Sequence, residues 1–484
     1  MIWPNWLVVV GMVLALITAI SRLRLMMPLA VLAGLTIGLA RGSDRLVQLS
    51  LYDRYLGGQV TIIAKVDGDP TLSHGLVAVK LADVSIATEG TAATMAGTIW
   101  ASLVNVQLDQ IDRSDRIKLA GTLDEGFGAY AAVISEAMVL EIDTSDNILN
   151  DIQQSFADKL ASVIPQSETA LGMGLLTGQE PNFADQLEDN FVAASLTHIL
   201  VASGYNLTIL VRFIRRLFTK KSRLVSLVLS TALIWLFVLL VGSSASMDRA
   251  VLVSLISLAT WYVGRHLHPV VLLSLVASLT VFVRPEQLWG DVGWYLSFAS
   301  FGGVIILAPL LISGWKLLYG YLRPNVHPII DDQVKESQLT WSAKLARKLI
   351  RLPTSFGQII TETISAQIVT WPILGFFMGQ ISIVGLITNV LVLPLVPLIM
   401  LITFLTGLAA LICPAVAMWL AVPATMLLNF IIQVANWGTT LPGADLEFLP
   451  KPGFILIYYI LLVLLMVGLK LLTRHNFYLD NVVE

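Results

Sequence analysis

Apolar runs long enough to cross a bilayer recur along this chain, separated by short polar loops. A spanning helix needs about 20 predominantly apolar residues. Backbone polar groups in lipid must also be satisfied within the protein, so the helix is the element such runs adopt. Of 484 residues 56% are hydrophobic and 13% charged, against about 25% charged in a soluble domain. The chain therefore reads as a polytopic α-helical membrane protein of the cell (inner or plasma) membrane. Its net charge of −3 implies neither a basic nor an acidic partner. One cysteine, Cys413, excludes an intrachain disulfide and a thiolate metal cluster.

Loop charges orient the spans. Residues 1–45 hold two apolar stretches, Trp6–Ile20 and Met26–Ala40, around Arg22 and Arg24, which the positive-inside rule puts in the cytoplasm. The MIWPNWLVVV start lacks the basic region of a signal peptide and reads as a retained helix. Arg41, Arg45 and Arg54 then fall on the outer side, against the trend. The cluster Arg212, Arg215, Arg216, Lys220, Lys221 and Arg223 is the strongest inside signal. Later spans fall near Val225–Val241, Val251–Val263, Val270–Val283, Val292–Ile312, Ile359–Met378, Ile381–Ile412, Val416–Val434 and Phe454–Leu472. About eleven spans with the N-terminus outside satisfy every loop.

Residues 55–147 have a different character. QVTIIAKV, LVAVKLADVSI, GTIWASLV, RIKLAGTL and YAAVISEAMVLEI alternate and are rich in β-branched residues. About five such strands suit a small OB-like β-barrel, inserted outside the membrane. OB-folds often bind single strands through basic grooves and aromatic platforms. Here Lys65, Lys80, Arg113, Arg116 and Lys118 are outnumbered by acids, and only Trp100, Phe127 and Tyr130 could stack. A structural or protein-docking role fits that surface better. Residues 151–189 read as amphipathic interfacial helices, with Phe156, Leu160 and Val163 at helical spacing and Pro165 as a stop.

Residues 190–475 form the main membrane domain. It opens on Asp189–Arg212, DNFVAASLTHILVASGYNLTILVR, whose apolar course is interrupted by Thr197, His198, Ser203, Gly204, Tyr205 and Asn206. Polar groups at bilayer depth mark packed interfaces or water-lined paths, and Gly204 weakens the helix among them. Arg249, Asp291, Gln367 and Asn389 are further polar residues in apolar surroundings. Each has a structural explanation: a local Arg–Asp pair for Arg249, a helix N-cap for Asp291, and helix-to-helix hydrogen bonds for Gln367 and Asn389. The chain contains no Gly-Lys pair for a phosphate-binding loop and no G-x-S-x-G elbow. No catalytic residues, metal ligands or cofactors are expected, and enzyme activity is not.

Four stretches together resemble the competence domain of the ComEC family, the proposed DNA-uptake channel of transformable bacteria. GLLTGQEPNFADQLEDNFVAASLTHILVASGYNLTILV (Gly174–Val211) is similar to the family's Gly-Leu-Leu-x-Gly turn and its following Ser/Thr-His helix. Thr197, His198, Ser203 and Gly204 match that helix, while Tyr205 and Asn206 replace the usual Leu-His. SMDRAVLV (Ser246–Val253), His268–Gly303 and Ile364–Pro397 resemble the remaining motifs in order and spacing. The resemblance implies an inner-membrane channel that carries single-stranded DNA into the cytoplasm during natural transformation. His198, Ser203, Gly204, Asn206, Arg249, Asp291, Gln367 and Asn389 are its transport-path candidates. Implied partners are single-stranded DNA, an extracytoplasmic DNA receptor, a cytoplasmic ATP-driven translocase or single-strand-binding proteins, membrane lipid and a second copy of the chain. Many members continue into a metallo-β-lactamase-like domain with an H-x-H-x-D-H core. The histidines here are His74, His198, His266, His268, His327 and His475, and His266-Leu-His268 has no acidic ligand beside it, so no such nuclease is expected. A small-molecule or ion permease, or a non-conducting scaffold recruiting partners through the barrel, would use the same polar helices.

Overall fold

The computed structural model describes residues 40–475 and Gly38, apart from 69, 74, 89–90, 145–147, 178–182, 184, 201–206, 208–210, 212–221, 242–244, 265–268, 286 and 323–340. The N-terminal spans lie almost wholly outside the described residues, as do Ser203, Gly204 and Asn206.

A helix over 40–49 and a 3-10 turn, Ser50–Arg54, lead into the barrel. Its strands are β1 (Gln59–Val66), β2 (Thr71–Ser73), β3 (Leu76–Thr88), β4 (Thr91–Thr94), β5 (Ile99–Leu103), β6 (Arg116–Glu125) and β7 (Ala132–Asp143). β1 pairs with both β3 and β6, β6 with β7, β7 with β5, and β5 with β3, which closes a five-strand ring. Every rung is antiparallel except β5–β7. The two short strands, β2 and β4, flank β3 and add nothing to the closure. The alternation legible in the sequence points Ile62, Leu81, Ile86, Ile99, Ile117, Leu119 and Ile134 inward, each 0–1% exposed. Tyr52, from the 3-10 turn, belongs to the same core. β6 crosses β7 closely at Gly121, where a Cβ would lie 2.5 Å from Ile134 Cγ2.

The membrane domain begins with α1 (Ile148–Ala161), α2 (Gln166–Thr177) and α3 (Asp185–Ala193). The sequence places this region on the outer surface. α2 is instead embedded: Glu168, Thr169, Leu171–Leu175 and Thr177 are buried. Its GMGLL stretch offers no polar face to water, and Gly172 lets it approach Thr403. Next come α4 (Arg223–Val241), α5 (Ala245–Tyr262), α6 (Pro269–Val283), α7 (Val292–Gly302) and α8 (Ala308–Leu322). A π segment, Gly303–Leu307, joins α7 to α8. The chain continues in α9 (Trp341–Met378), α10 (Gly385–Val392), α11 (Val396–Ile412), α12 (Pro414–Thr439) and α13 (Pro452–Thr473). The sequence separates an amphipathic helix near Trp341–Leu352 from the following span, whereas α9 runs through both.

Among the described residues, four helical stretches are long and apolar enough to cross a membrane: Val292–Trp315, Gly357–Met378, Pro414–Thr439 and Pro452–Thr473. α10 and α11 qualify together as a fifth, bent by 50°. The bend falls at Leu393-Pro394-Leu395, where the proline the sequence flags removes a backbone donor. Arg223–Leu239 and Val271–Val283 are shorter apolar helices. α13 leaves Leu456, Leu461, Leu464 and Leu471 at least 60% exposed, a face suited to lipid rather than water. The molecule is thus a membrane protein carrying a small closed barrel. The two parts meet where Gly128, in the β6–β7 loop, abuts Gly290; a Cβ on Gly290 would sit 2.6 Å from the Gly128 Cα.

Candidate functional site

Among the described residues, the candidates the sequence offers fall in two buried polar groups of the membrane domain. The first surrounds Arg249, which is 4% exposed. Its Nε donates to Ser297 Oγ at 2.9 Å and its Nη2 to the Gly293 carbonyl at 3.1 Å. The guanidinium lies 5.0 Å from the Phe298 ring centre, and its buried Nη1 has no hydrogen-bond partner. The expected local pair with Asp248 is not made. Asp248 faces Arg284 at 3.9 Å instead, because Arg249 points across to α7.

α7 is held in place for this task. Asp291 caps it, accepting from the Trp294 amide at 2.9 Å. Trp294 Nε1 in turn donates to Thr280 Oγ1 of α6 at 3.0 Å. Asp291 and Asp248 lie near enough to act electrostatically on Arg249. Among the described residues, though, no carboxylate forms an ion pair with it. Burying a cation costs several kcal/mol unless it is paired and fully hydrogen-bonded. Arg249 is therefore a partly satisfied buried charge.

The second group forms where two interrupted helices cross. α3 ends at Ala193, and Ser195 takes a left-handed φ of 56° before a single turn, Thr197–Leu200. The carbonyls freed by this break find hydroxyls: Ser382 donates to Ala193 and Thr388 to Ala194, both at 2.7 Å. Asn190 Nδ2 donates to Asn436 Oδ1 at 2.9 Å, tying α3 to α12. The other interrupted helix, α10–α11, meets the break at Gly385. A Cβ there would lie 2.5 Å from Ser195 Cβ and 2.7 Å from Gln367 Nε2. Gln367 Nε2 and the Asn389 Oδ1, one turn beyond Gly385, are both buried without partners.

The sequence candidates thus fall into two groups rather than one. Arg249 and Asp291 gather on α5 and α7, Gln367 and Asn389 at the crossing. α9 touches both sides: its Ser365 carbonyl backs onto Gly303, where a Cβ would approach to 2.6 Å, and its Phe377 stacks on Tyr295 at 5.7 Å. His198 is exposed, on the single turn after the break. Ser203, Gly204 and Asn206 lie outside the described residues, and so does the break the sequence places at Gly204. Sequence reading missed Ser195, Ser297, Thr388 and Gly385. Only Gly385 carried a usable signal, as a glycine between apolar residues shortly before Asn389.

In chemical terms both groups are short of partners. A buried donor or acceptor left unmade costs about 1–3 kcal/mol. The first group offers a cation and the second amide and hydroxyl groups, with no metal-ligating cluster among the described residues. Residues 175–474 match a family model described as "Competence protein". No curated protein matches the chain, and no solved structure does.

Proposed function

Because the chain belongs to the competence protein family, which acts in DNA uptake, we propose that its membrane domain is the conduit for one DNA strand. The observation that carries this reading is Arg249, a buried cation with an unpartnered Nη1 and no ion pair among the described residues. A strand carries a negative charge at each nucleotide, and a guanidinium is the group best shaped to receive a phosphate. The Gly385–Ser195–Gln367 contact then acts as the closed constriction: the chain is already broken at Ser195 and Gly385 stands at the N-terminal end of α10, so the two can part without opening the middle of a helix. Unwound segments lining a path are how transporters commonly build their sites.

The reading has the strand move inward, delivered by an extracytoplasmic receptor and drawn by a cytoplasmic ATP-driven translocase or captured by single-strand-binding proteins. The chain itself performs no chemical step. The ring order of the barrel, with β5 parallel to β7, supports an OB-like assignment. Its acidic surface supports docking of a protein in preference to DNA.

Cells carrying Arg249→Gln test this. Losing a charged hydrogen-bonding group costs about 1.5–3 kcal/mol, so internalised strand should fall about 10-fold to 100-fold while DNA bound at the surface stays unchanged. Arg249→Lys should restore part of the uptake. Normal uptake by Arg249→Gln, at normal protein level, would sink the conduit reading. A changed small-solute flux without changed DNA uptake would point to a permease instead.

A further inference from the structure

Arg41 and Arg45 stand where the loop-charge rule expects few cations, on the barrel side of the membrane domain. Their side is fixed by contact: Leu49 of the same helix packs against Gly97 of the barrel, and Gly128 of the barrel against Gly290. Basic residues there do no work in orienting the spans. They line a cleft with Asp44, Gln48, Val283 and Pro285, between helix 40–49 and the outer end of α6. The Arg41 guanidinium lies 5.5 Å from the Phe282 ring centre, and its buried Nε has no partner. Arg45 Nη1 reaches Gln48 Oε1 at 3.3 Å. Between Val283 and Pro285 of the lining, Arg284 faces Asp248, the neighbour of Arg249.

We propose that this cleft binds phosphodiester groups and hands them toward Arg249. An arginine stacked on an aromatic ring has its plane fixed while its N–H edge stays open for an oxyanion. The charges lining the cleft are Arg41 and Arg45 against Asp44, so it is cationic by one. The barrel beside it carries five bases, Lys65, Lys80, Arg113, Arg116 and Lys118, among many more acids. A phosphate chain repelled by that surface meets its nearest attractive ground here. As a step on the path to Arg249 the proposal rests on the conduit reading; as a binding site it does not.

The test uses full-length protein in phosphatidylcholine nanodiscs and a labelled oligothymidylate. The Arg41→Gln/Arg45→Gln variant should bind about tenfold more weakly, and its salt slope should drop by about 1.4 if two phosphate contacts are lost. Asp44→Asn, which removes a facing carboxylate and leaves the arginines, should bind more tightly, by about threefold. A second arm offers phosphatidylglycerol to the same proteins. Loss of lipid capture with unchanged oligonucleotide binding keeps the phosphodiester site but overturns its use by DNA. No change in either arm for the double variant, or none for Asp44→Asn if the double variant does not fold, overturns the site. Binding is read without transport, so a normal uptake result for Arg249→Gln would fail the conduit and leave the cleft standing.

Discussion

The barrel and the membrane domain treat buried polar groups in opposite ways. Among the described residues of the barrel they are paired, except the Tyr52 hydroxyl. Asn105 brackets residue 139, donating to its carbonyl at 3.0 Å and accepting from its amide at 2.8 Å. Ser102 Oγ accepts the Glu136 amide at 2.9 Å, at a kink where Glu136 has a φ of 56°. One apolar core fills the ring. The described residues of the membrane domain form three separate apolar clusters. It also buries Arg249 Nη1, Ser365 Oγ, Gln367 Nε2 and Asn389 Oδ1 without partners. A polar group left unsatisfied weakens a fold, so its presence marks a place where stability yields to something else. Most of the unpartnered buried atoms among the described residues therefore fall in the membrane domain and not in the barrel.

The comparison can be broken first in the barrel. Ile134→Ala, at a fully buried position, should cost about 2–5 kcal/mol. Hydrogen exchange of the full-length protein should show all the ring strands losing protection together. Loss confined to β7 would mean the ring is not one cooperative core. Neighbouring residues on α10 sharpen the contrast. Thr388→Val removes the donor to the Ala194 carbonyl and should destabilise by about 1–3 kcal/mol. Asn389→Leu deletes an unpartnered oxygen, so it should leave thermal stability unchanged or raise it while lowering strand uptake. Equal destabilisation by both would show that Asn389 is structural.

The smallest effect lies at Tyr52, whose buried hydroxyl also lacks a partner. Burial raises its pKa above the ordinary value of about 10. The folded state therefore keeps this proton at pH values where the unfolded chain has lost it. The contribution is complete below about pH 10 and is lost as pH rises above that. Tyr52→Phe should be near neutral at pH 7 and should flatten the alkaline fall in barrel stability. An unchanged alkaline limb would assign that fall to other groups.

Legibility followed the same division. The five ring strands lie within a few residues of where alternation puts them, because a period of two is a local property of a strand with one buried face. Asp291 is the N-cap its position suggests, and Pro394 marks the bend of α10–α11. The embedding of α2 was not legible, since a short apolar helix reads alike whether it lies on a bundle or inside it. Nor were the partners of Arg249, which lie 44 and 48 residues away on α7.

The sequence alone determined the class, the inserted barrel and the inventory of polar residues within apolar runs. Each follows from composition or periodicity over a short window, where hydration and hydrogen bonding act locally. The tertiary structure decided which of those residues are satisfied. It turned Arg249 away from its neighbour Asp248, set a break at Ser195, and brought Gly385 against it. Such contacts depend on how distant helices pack, and no short window of sequence encodes that distance.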